Sequence, residues 1–178
     1  MKVNNSTRLC FSLMSRDDAE LLYELDQDKD VMRYVNGGQI TTREYLNDVL
    51  LPRMDSYRNE VEGWGLWKVI ITETKQFIGW VLIRPMNFFS DEPEFENVEM
   101  GWRFKKDSWG NGYATEAAQS IKTAIRDLGR AKKISAIAFE ANKPSINIML
   151  KLGLNYIKTD IHKDPLGNHE VVFYELDI

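Results

Sequence analysis

Lys105–Ile121, KKDSWGNGYATEAAQSI, sets Trp109, Gly110 and Gly112 immediately before a helical pattern. Glycine costs conformational entropy and offers no side chain to pack, so two of them here imply a backbone that turns sharply or lets something approach closely. On one side, NVEMGWRF (Asn97–Phe104) reads as a strand. On the other, TEAAQSIKTAIRDLG (Thr115–Gly129) carries Ala117, Ala118, Ile121, Ile125 and Leu128 on one face and stops at Gly129, a suitable C′ residue. A strand, a glycine-rich turn and a helix starting close to Gly112 put consecutive N–H groups at the positive end of a helix dipole, a ready site for an anion such as phosphate. A plain tight connection between strand and helix accounts for the same glycines and stays open at this point. Two other phosphate-binding motifs fit poorly. A Walker A loop needs Lys and then Ser or Thr after its second glycine, where Tyr113 and Ala114 stand, and the dinucleotide fingerprint needs a third small residue where Thr115 stands.

Upstream, RLCFSLM (Arg8–Met14) alternates like a strand, and Ser15 is a plausible N-cap for a helix with Leu21, Leu22 and Leu25 at helical spacing. A turn follows at Gly37-Gly38 and a second helix from about Thr42. WGLWKVII, QFIGWVLIRP and NVEMGWRF then read as three strands, the first two joined by the short TETK of a hairpin. Downstream come a strand, KISAIAFE, a short helix, NKPSINIMLKLG, with Pro144 near its start and Gly153 past its end, and a last strand, HEVVFYELDI. The order predicts an α/β fold, antiparallel strands first and a βαβα unit later.

With 178 residues, 43% of them hydrophobic, the chain suits one well-packed domain, residues 1–178. The formal net charge of -4, with Lys and Arg dispersed, argues against a nucleic-acid partner and favours cationic ones. Cys10 is the only cysteine, so no intrachain disulfide forms. No apolar run approaches the roughly 20 residues that span a bilayer, and nothing at the N-terminus reads as a signal segment. The expectation is a cytoplasmic protein without a membrane partner.

WGNGYATEA (Trp109–Ala117) resembles the acetyl-CoA pyrophosphate loop of the GNAT N-acetyltransferases, usually spelled Gln or Arg, two residues, Gly, one residue, then Gly or Ala. Trp109, Gly112 and Ala114 occupy those three places. The Trp departs from the general spelling, and Trp-Gly-x-Gly-Tyr-Ala-x-Glu-Ala is similar to the branch holding the ribosomal-protein N-alpha-acetyltransferases and related small-amine acetyltransferases. NKPSINIMLKLGL (Asn142–Leu154) resembles that family's second cofactor motif, at the family's spacing from the first. The resemblance implies a mixed, mostly antiparallel central sheet flanked by helices, with a splayed strand pair at the acetyl-CoA site. It implies direct transfer of an acetyl group from acetyl-CoA to a primary amine, on a small molecule or a protein N-terminus, without a metal, and leaves a homodimer open.

The resemblance also assigns residues. Trp102, Arg103 and Phe104 lie where the splayed strand meets the pantetheine arm. The backbone of Trp109, Gly110, Asn111, Gly112, Tyr113 and Ala114 holds the pyrophosphate, and Thr115 adds a hydroxyl in the first helical turn. Asn142 and Ser145 meet the pantetheine and the sulfur end of the cofactor. Lys105, Lys106 and Lys143 are either partners of the 3′-phosphate or solvated surface. Attack on a thioester requires a neutral amine, so a group must accept a proton. Glu99 is the candidate base, sharing strand parity with Gly101 and Arg103; the alternative is a carboxylate paired with Arg103 or facing solvent. Many family members donate a proton from a Tyr where Met149 stands, which leaves Ser145, another Tyr or water. That gap keeps open a non-catalytic acyl-CoA-binding module and, more remotely, a plain nucleotide-binding domain. His162 and His169, with Asp160 and Asp164, read as arms of a hairpin rather than metal ligands. Cys10, Trp64, Trp67 and Trp80 read as core, with one Trp as an alternative lining for the acceptor pocket. Met32, Tyr34 and the Gly37-Gly38 turn are expected between the first two helices, on the acceptor side.

Overall fold

The computed structural model describes residues 1–178. Strands β1 (Leu9–Leu13), β2 (Gly65–Ile71), β3 (Phe77–Met86), β4 (Glu94–Phe104), β5 (Lys133–Ala138), β6 (Asn155–His162) and β7 (His169–Asp177) form one sheet in the order β1-β2-β3-β4-β5-β7-β6. Every neighbouring pair is antiparallel except β4–β5. The mostly antiparallel α/β sheet implied by the resemblance is the sheet observed.

Helices cover both faces. Helices α5 (Tyr113–Leu128) and α6 (Lys143–Lys151) lie on one face, where Ala117, Ala118, Ile121, Ile125 and Met149 pack on Val69, Val81, Ile83, Val98 and Met100. On the other face lie α1 (Ala19–Leu25), α2 (Lys29–Asn36), α3 (Arg43–Tyr45) and α4 (Leu51–Tyr57); Leu22, Leu25 and Met54 of these helices, with Leu46 between α3 and α4, meet Leu66, Phe77 and Leu82. Burial on both faces explains why β3 reads as a continuous apolar run rather than an alternating one. Each fully buried aliphatic side chain contributes roughly 1.5–3 kcal/mol relative to exposure.

Several local signals act as the residues suggest. Ser15 accepts from the Asp17 amide and completes a capping box with Asp18. Gly129 closes α5 in the left-handed region, its N–H on the Ile125 carbonyl. Two expectations change. Met32 and Tyr34, expected in a connection, lie on α2, which Asp28 caps and Gly37 ends. The helix from Thr42 is interrupted by a π turn at Leu46–Leu50; Pro52, one residue into α4, has no N–H and crowds the preceding turn, and the backbone widens to accommodate it. His162 and His169 face each other across the β6–β7 hairpin. No helix is long and apolar enough to cross a membrane.

Candidate functional site

The sheet opens between β4 and β5. Their pairing runs from Asn97↔Lys133 to Glu99↔Ser135 and stops there, although β4 continues to Phe104 and β5 to Ala138. The Ser135 hydroxyl donates to Asn97 Oδ1 at 2.8 Å and clasps the paired end. Beyond it, Met100–Phe104 keep β3 on one side and Ala136–Ala138 keep β7, while the two edges that face each other share no ladder. Such edges can accept an extended amide-bearing chain as if it were another strand.

The glycine-rich turn lies just past β4, leading into α5. Gly110 and Gly112 both have φ of +77°, a backbone that side-chain-bearing residues rarely adopt. A Cβ would meet nothing within 4 Å at Gly110, and only the Arg8 guanidinium, at 3.7 Å, at Gly112. Here the glycines serve φ rather than space. The consequence is a run of backbone amides, residues 110–115, that donate to no protein group, ahead of Glu116, whose N–H returns to the Gly112 carbonyl. Consecutive free amides at the start of a four-turn helix can hold an anion. Trp109, which stands where the usual spelling has Gln or Arg, donates its indole N–H to the Phe104 carbonyl at 2.9 Å and so ties the loop to the end of β4.

Arg8 was not singled out in the sequence, yet it supports this loop from the start of β1. Its guanidinium donates to the Asn111 carbonyl at 3.0 Å, lies 4.4 Å from the Tyr113 ring centroid, and pairs with Glu116 at 2.6 Å. Burial pushes the Glu116 carboxyl up, and hydrogen bonds from Ser6 and Arg8 outweigh it, leaving the group below its ordinary value. Lys105, Lys106 and Lys143 pair with Glu24, Asp30 and Glu140 at the surface.

The second motif forms α6. Asn142 Oδ1 accepts from the Ser145 amide at 3.3 Å and caps the helix, leaving its side-chain N–H₂ and the Ser145 hydroxyl without protein partners. Met149 is buried in the core beneath α5 and offers no proton. Trp102 is half-buried against that same core and Phe104 is buried in it.

Glu99, Gly101 and Arg103 point to the opposite face, toward α1–α4. Glu99 is buried and accepts from Arg84 Nε at 2.8 Å; Arg84 is its cross-strand neighbour on β3. Arg103 instead donates to Asp26 at 2.5 Å, whose other oxygen accepts from Thr41 at 2.9 Å. Between them a Cβ built on Gly101 would touch only Leu82, at 3.6 Å, so the strand offers a bare floor flanked by two ion pairs. Glu99 Oε1 has no hydrogen bond, although the side chain as a whole is only 8% exposed.

An aromatic wall surrounds the Arg84–Glu99 pair. Tyr57 from α4 and Phe88 and Phe89 from the β3–β4 connection pack edge to face, with the Arg84 guanidinium 5.7 Å from the Tyr57 ring and 5.3 Å from Phe89. Arg53 stacks 3.6 Å over Phe89 and pairs with Asp164 of the β6–β7 turn. Burial pushes the Tyr57 phenol up to about 12. Burial also opposes the charge on Arg84, but the Glu99 carboxylate outweighs it and raises the guanidinium further above its ordinary value. Sequence reasoning missed Arg84, Tyr57 and Phe89, which come from separate segments and carry no motif.

Comparison with known proteins bears on this geometry. The model of the family described as "Acetyltransferase (GNAT) domain" matches residues 8–155. YkkB, an uncharacterised protein of Bacillus subtilis, is 34% identical over 151 residues, 81% of this chain and 79% of its own. The FsC-acetyl coenzyme A-N(2)-transacetylase of Aspergillus fumigatus is 27% identical over 162 residues, 89% of this chain and 67% of its own. Among solved structures, a GNAT-family acetyltransferase from Bacillus anthracis superposes with a TM-score of 0.77 over 99% of this chain and 98% of that one, at 23% identity.

Proposed function

The chain belongs to the GNAT acetyltransferases, and from that premise we propose that it transfers the acetyl group of acetyl-CoA directly to a primary amine, on a small molecule or a protein N-terminus. One observation carries the reading: the open edges of β4 and β5 lead to a turn whose amides 110–115 have no protein acceptor. These are the groups an acyl-CoA needs, amide partners along the pantetheine and donors at the diphosphate. In this reading Trp102, Arg103 and Phe104 offer backbone to the pantetheine arm. Trp109–Ala114 and the Thr115 hydroxyl hold the diphosphate, and Asn142 and Ser145 meet the arm nearer the sulfur.

When bound, acetyl-CoA supplies the activated acyl group; the chain supplies position and proton transfer. The acceptor arrives as an ammonium, which has no lone pair to attack with. Glu99 Oε1, free of hydrogen bonds, takes that proton directly or through water, while Arg84 holds Oε2. As the N–C bond forms and the C–S bond breaks, the nitrogen sheds its second proton, and the half-buried Ser145 hydroxyl relays it to the leaving thiolate, gaining one proton as it gives one. The bare strand at Gly101 is the floor on which the amine sits. The chain's negative charge favours cationic amines.

The test is incubation with acetyl-CoA and a panel of amines (a polyamine, an aminoglycoside, amino acids and peptides with free N-termini) while free thiol is followed. Acceptor-dependent thiol release supports the reading. Tight CoA binding without turnover on any acceptor identifies an acyl-CoA-binding module instead, and displacement of CoA by ATP or NAD identifies a nucleotide-binding domain.

A further inference from the structure

Strand β6 ends the sheet, and Asn155–Ile161 are exposed on both of its faces. Tyr156, Ile157 and Ile161 are 54%, 50% and 48% exposed, an unusual set of side chains for an unpaired edge. No proline, covering helix or covering loop blunts this edge; its one irregularity is the bulge at Ile157, and the register on β7 is unbroken from Lys158 to His162. The Ile161 amide, which points away from β7, is met only by the neighbouring Asp160 carboxylate at 2.8 Å. Because backbone groups alternate in direction along a strand, Thr159 also presents its N–H and C=O outward. A second strand laid antiparallel about a two-fold axis at Thr159 therefore meets outward-pointing groups on both sides.

The same axis sets the side chains. Residues pair when their numbers add to twice 159, so Lys158 lies opposite the partner's Asp160 and Asp160 opposite the partner's Lys158. Ile157 stands in a β-bulge, where the register on β7 shifts between Tyr156 and Lys158, and takes no part in this match. Within one chain Lys158 and Asp160 already neutralise each other at 2.6 Å, both about half exposed. Across the axis each gains a second opposite charge, and Asp160 releases the Ile161 amide to the ladder. An axis one residue to either side loses this match: centred at Lys158 it sets Lys158 opposite the partner's Lys158, and centred at Asp160 it sets Asp160 opposite the partner's Asp160, like charges in both cases. We propose that β6 pairs antiparallel with β6 of a second copy of this chain, about a two-fold axis at Thr159, to form a homodimer with one continuous sheet. The isologous pairing makes one patch complementary to itself. It is independent of the catalytic reading.

Light scattering and sedimentation velocity on the full chain at about 1–100 μM, a range spanning modest self-association, read the mass directly. The wild type is expected at twice the chain mass. Lys158→Asp sets two acidic pairs across the axis, Asp160→Lys sets two basic pairs, and each protein alone is expected as a monomer. An equimolar mixture of the two restores both opposite-charge pairs and is expected to give a heterodimer, which an unfolded variant cannot do. Thr159→Pro removes an outward N–H without touching the β7 ladder and is expected to give a monomer. A wild type that stays monomeric throughout the range overturns the proposal. So do single-charge variants that dimerise like the wild type, or a mixture that stays monomeric.

Discussion

The two sides of β4 are built by different means. The side facing α5 and α6 is made of backbone: a broken ladder, two glycines with positive φ and a run of free amides. The side facing α1–α4 is made of side chains from five elements: Arg84 on β3, Glu99 on β4, Tyr57 and Arg53 on α4, Phe89 in the β3–β4 connection and Asp164 in the β6–β7 turn. A backbone site tolerates most side-chain changes and depends on the few residues that set φ. A side-chain network depends on each member, because removing one leaves the others with a charge or a gap.

The largest test follows from that dependence. Arg84 and Glu99 have side-chain exposures of 9% and 8%, so Arg84→Met leaves a buried carboxylate unpaired and is expected to lower stability by about 3–5 kcal/mol in urea unfolding. Replacing both, Arg84→Met with Glu99→Leu, is expected to recover most of that loss, since a well-packed apolar pair is often as stable as a buried ion pair. If the double variant is no better than the single, the two residues act independently and the network description fails.

Next in size is the chemistry assigned to that pair. Glu99→Gln is expected to reduce kcat by about 10²-fold with the KM for acetyl-CoA nearly unchanged, as for loss of a positioned base. The deficit is expected to shrink as pH rises, because the free amine then forms without help. A uniform deficit at every pH points to orientation of the amine, and wild-type turnover across the range moves the base to another group.

The backbone side was the legible one. Glycine at special φ, helix caps and motif spacing are local properties, so Gly110, Gly112, the start of α5 near Tyr113 and its stop at Gly129 were all readable from a few residues. The α/β order was readable for the same reason. The partner of Glu99 was not: strand parity put Arg103 on the correct face, but the choice between Arg103 and Arg84 depends on the β3–β4 register and on Asp26 claiming Arg103 from 77 residues away. Helix α2 was passed over because the Gly37-Gly38 turn dominated the reading of a short segment. Strand β6 lacked a pattern because neither of its faces is buried.

A third prediction exploits the local character of the loop. Gly112→Val faces little steric obstruction, with only Arg8 at 3.7 Å from the new Cβ, so its cost lies in φ. The left-handed backbone is expected to cost roughly 1–2 kcal/mol for a side-chain-bearing residue, and more for a β-branched one. Any relaxation turns the amides away from their common focus. Acetyl-CoA affinity by calorimetry is expected to fall at least about 10-fold in a protein that still folds, a change of about 1.4 kcal/mol. Unchanged affinity makes the turn a connector only.

The smallest effect is expected where a side chain supports the backbone site. Arg8→Ala removes the hydrogen bond to the Asn111 carbonyl and the pair with Glu116. Arg8 is 44% exposed and solvent-screened, so the expected loss is at most about 1 kcal/mol of stability. The KM for acetyl-CoA is expected to rise by a few-fold at most, with kcat unchanged, since Arg8 supports the loop from the β1 side. The sign of the pH dependence follows from Glu116. Its carboxyl is held below the ordinary 4.5 in the folded chain by Ser6 and Arg8, against the opposing effect of burial. The stabilisation is therefore fully present above that value and disappears as pH falls through the lowered one. Thermal melts of wild type and Arg8→Ala are expected to differ at neutral pH and to converge under acid below 4.5. A difference that persists unchanged into acid would mean that Arg8 acts through its stacking on Tyr113 and its bond to Asn111, not through its charge.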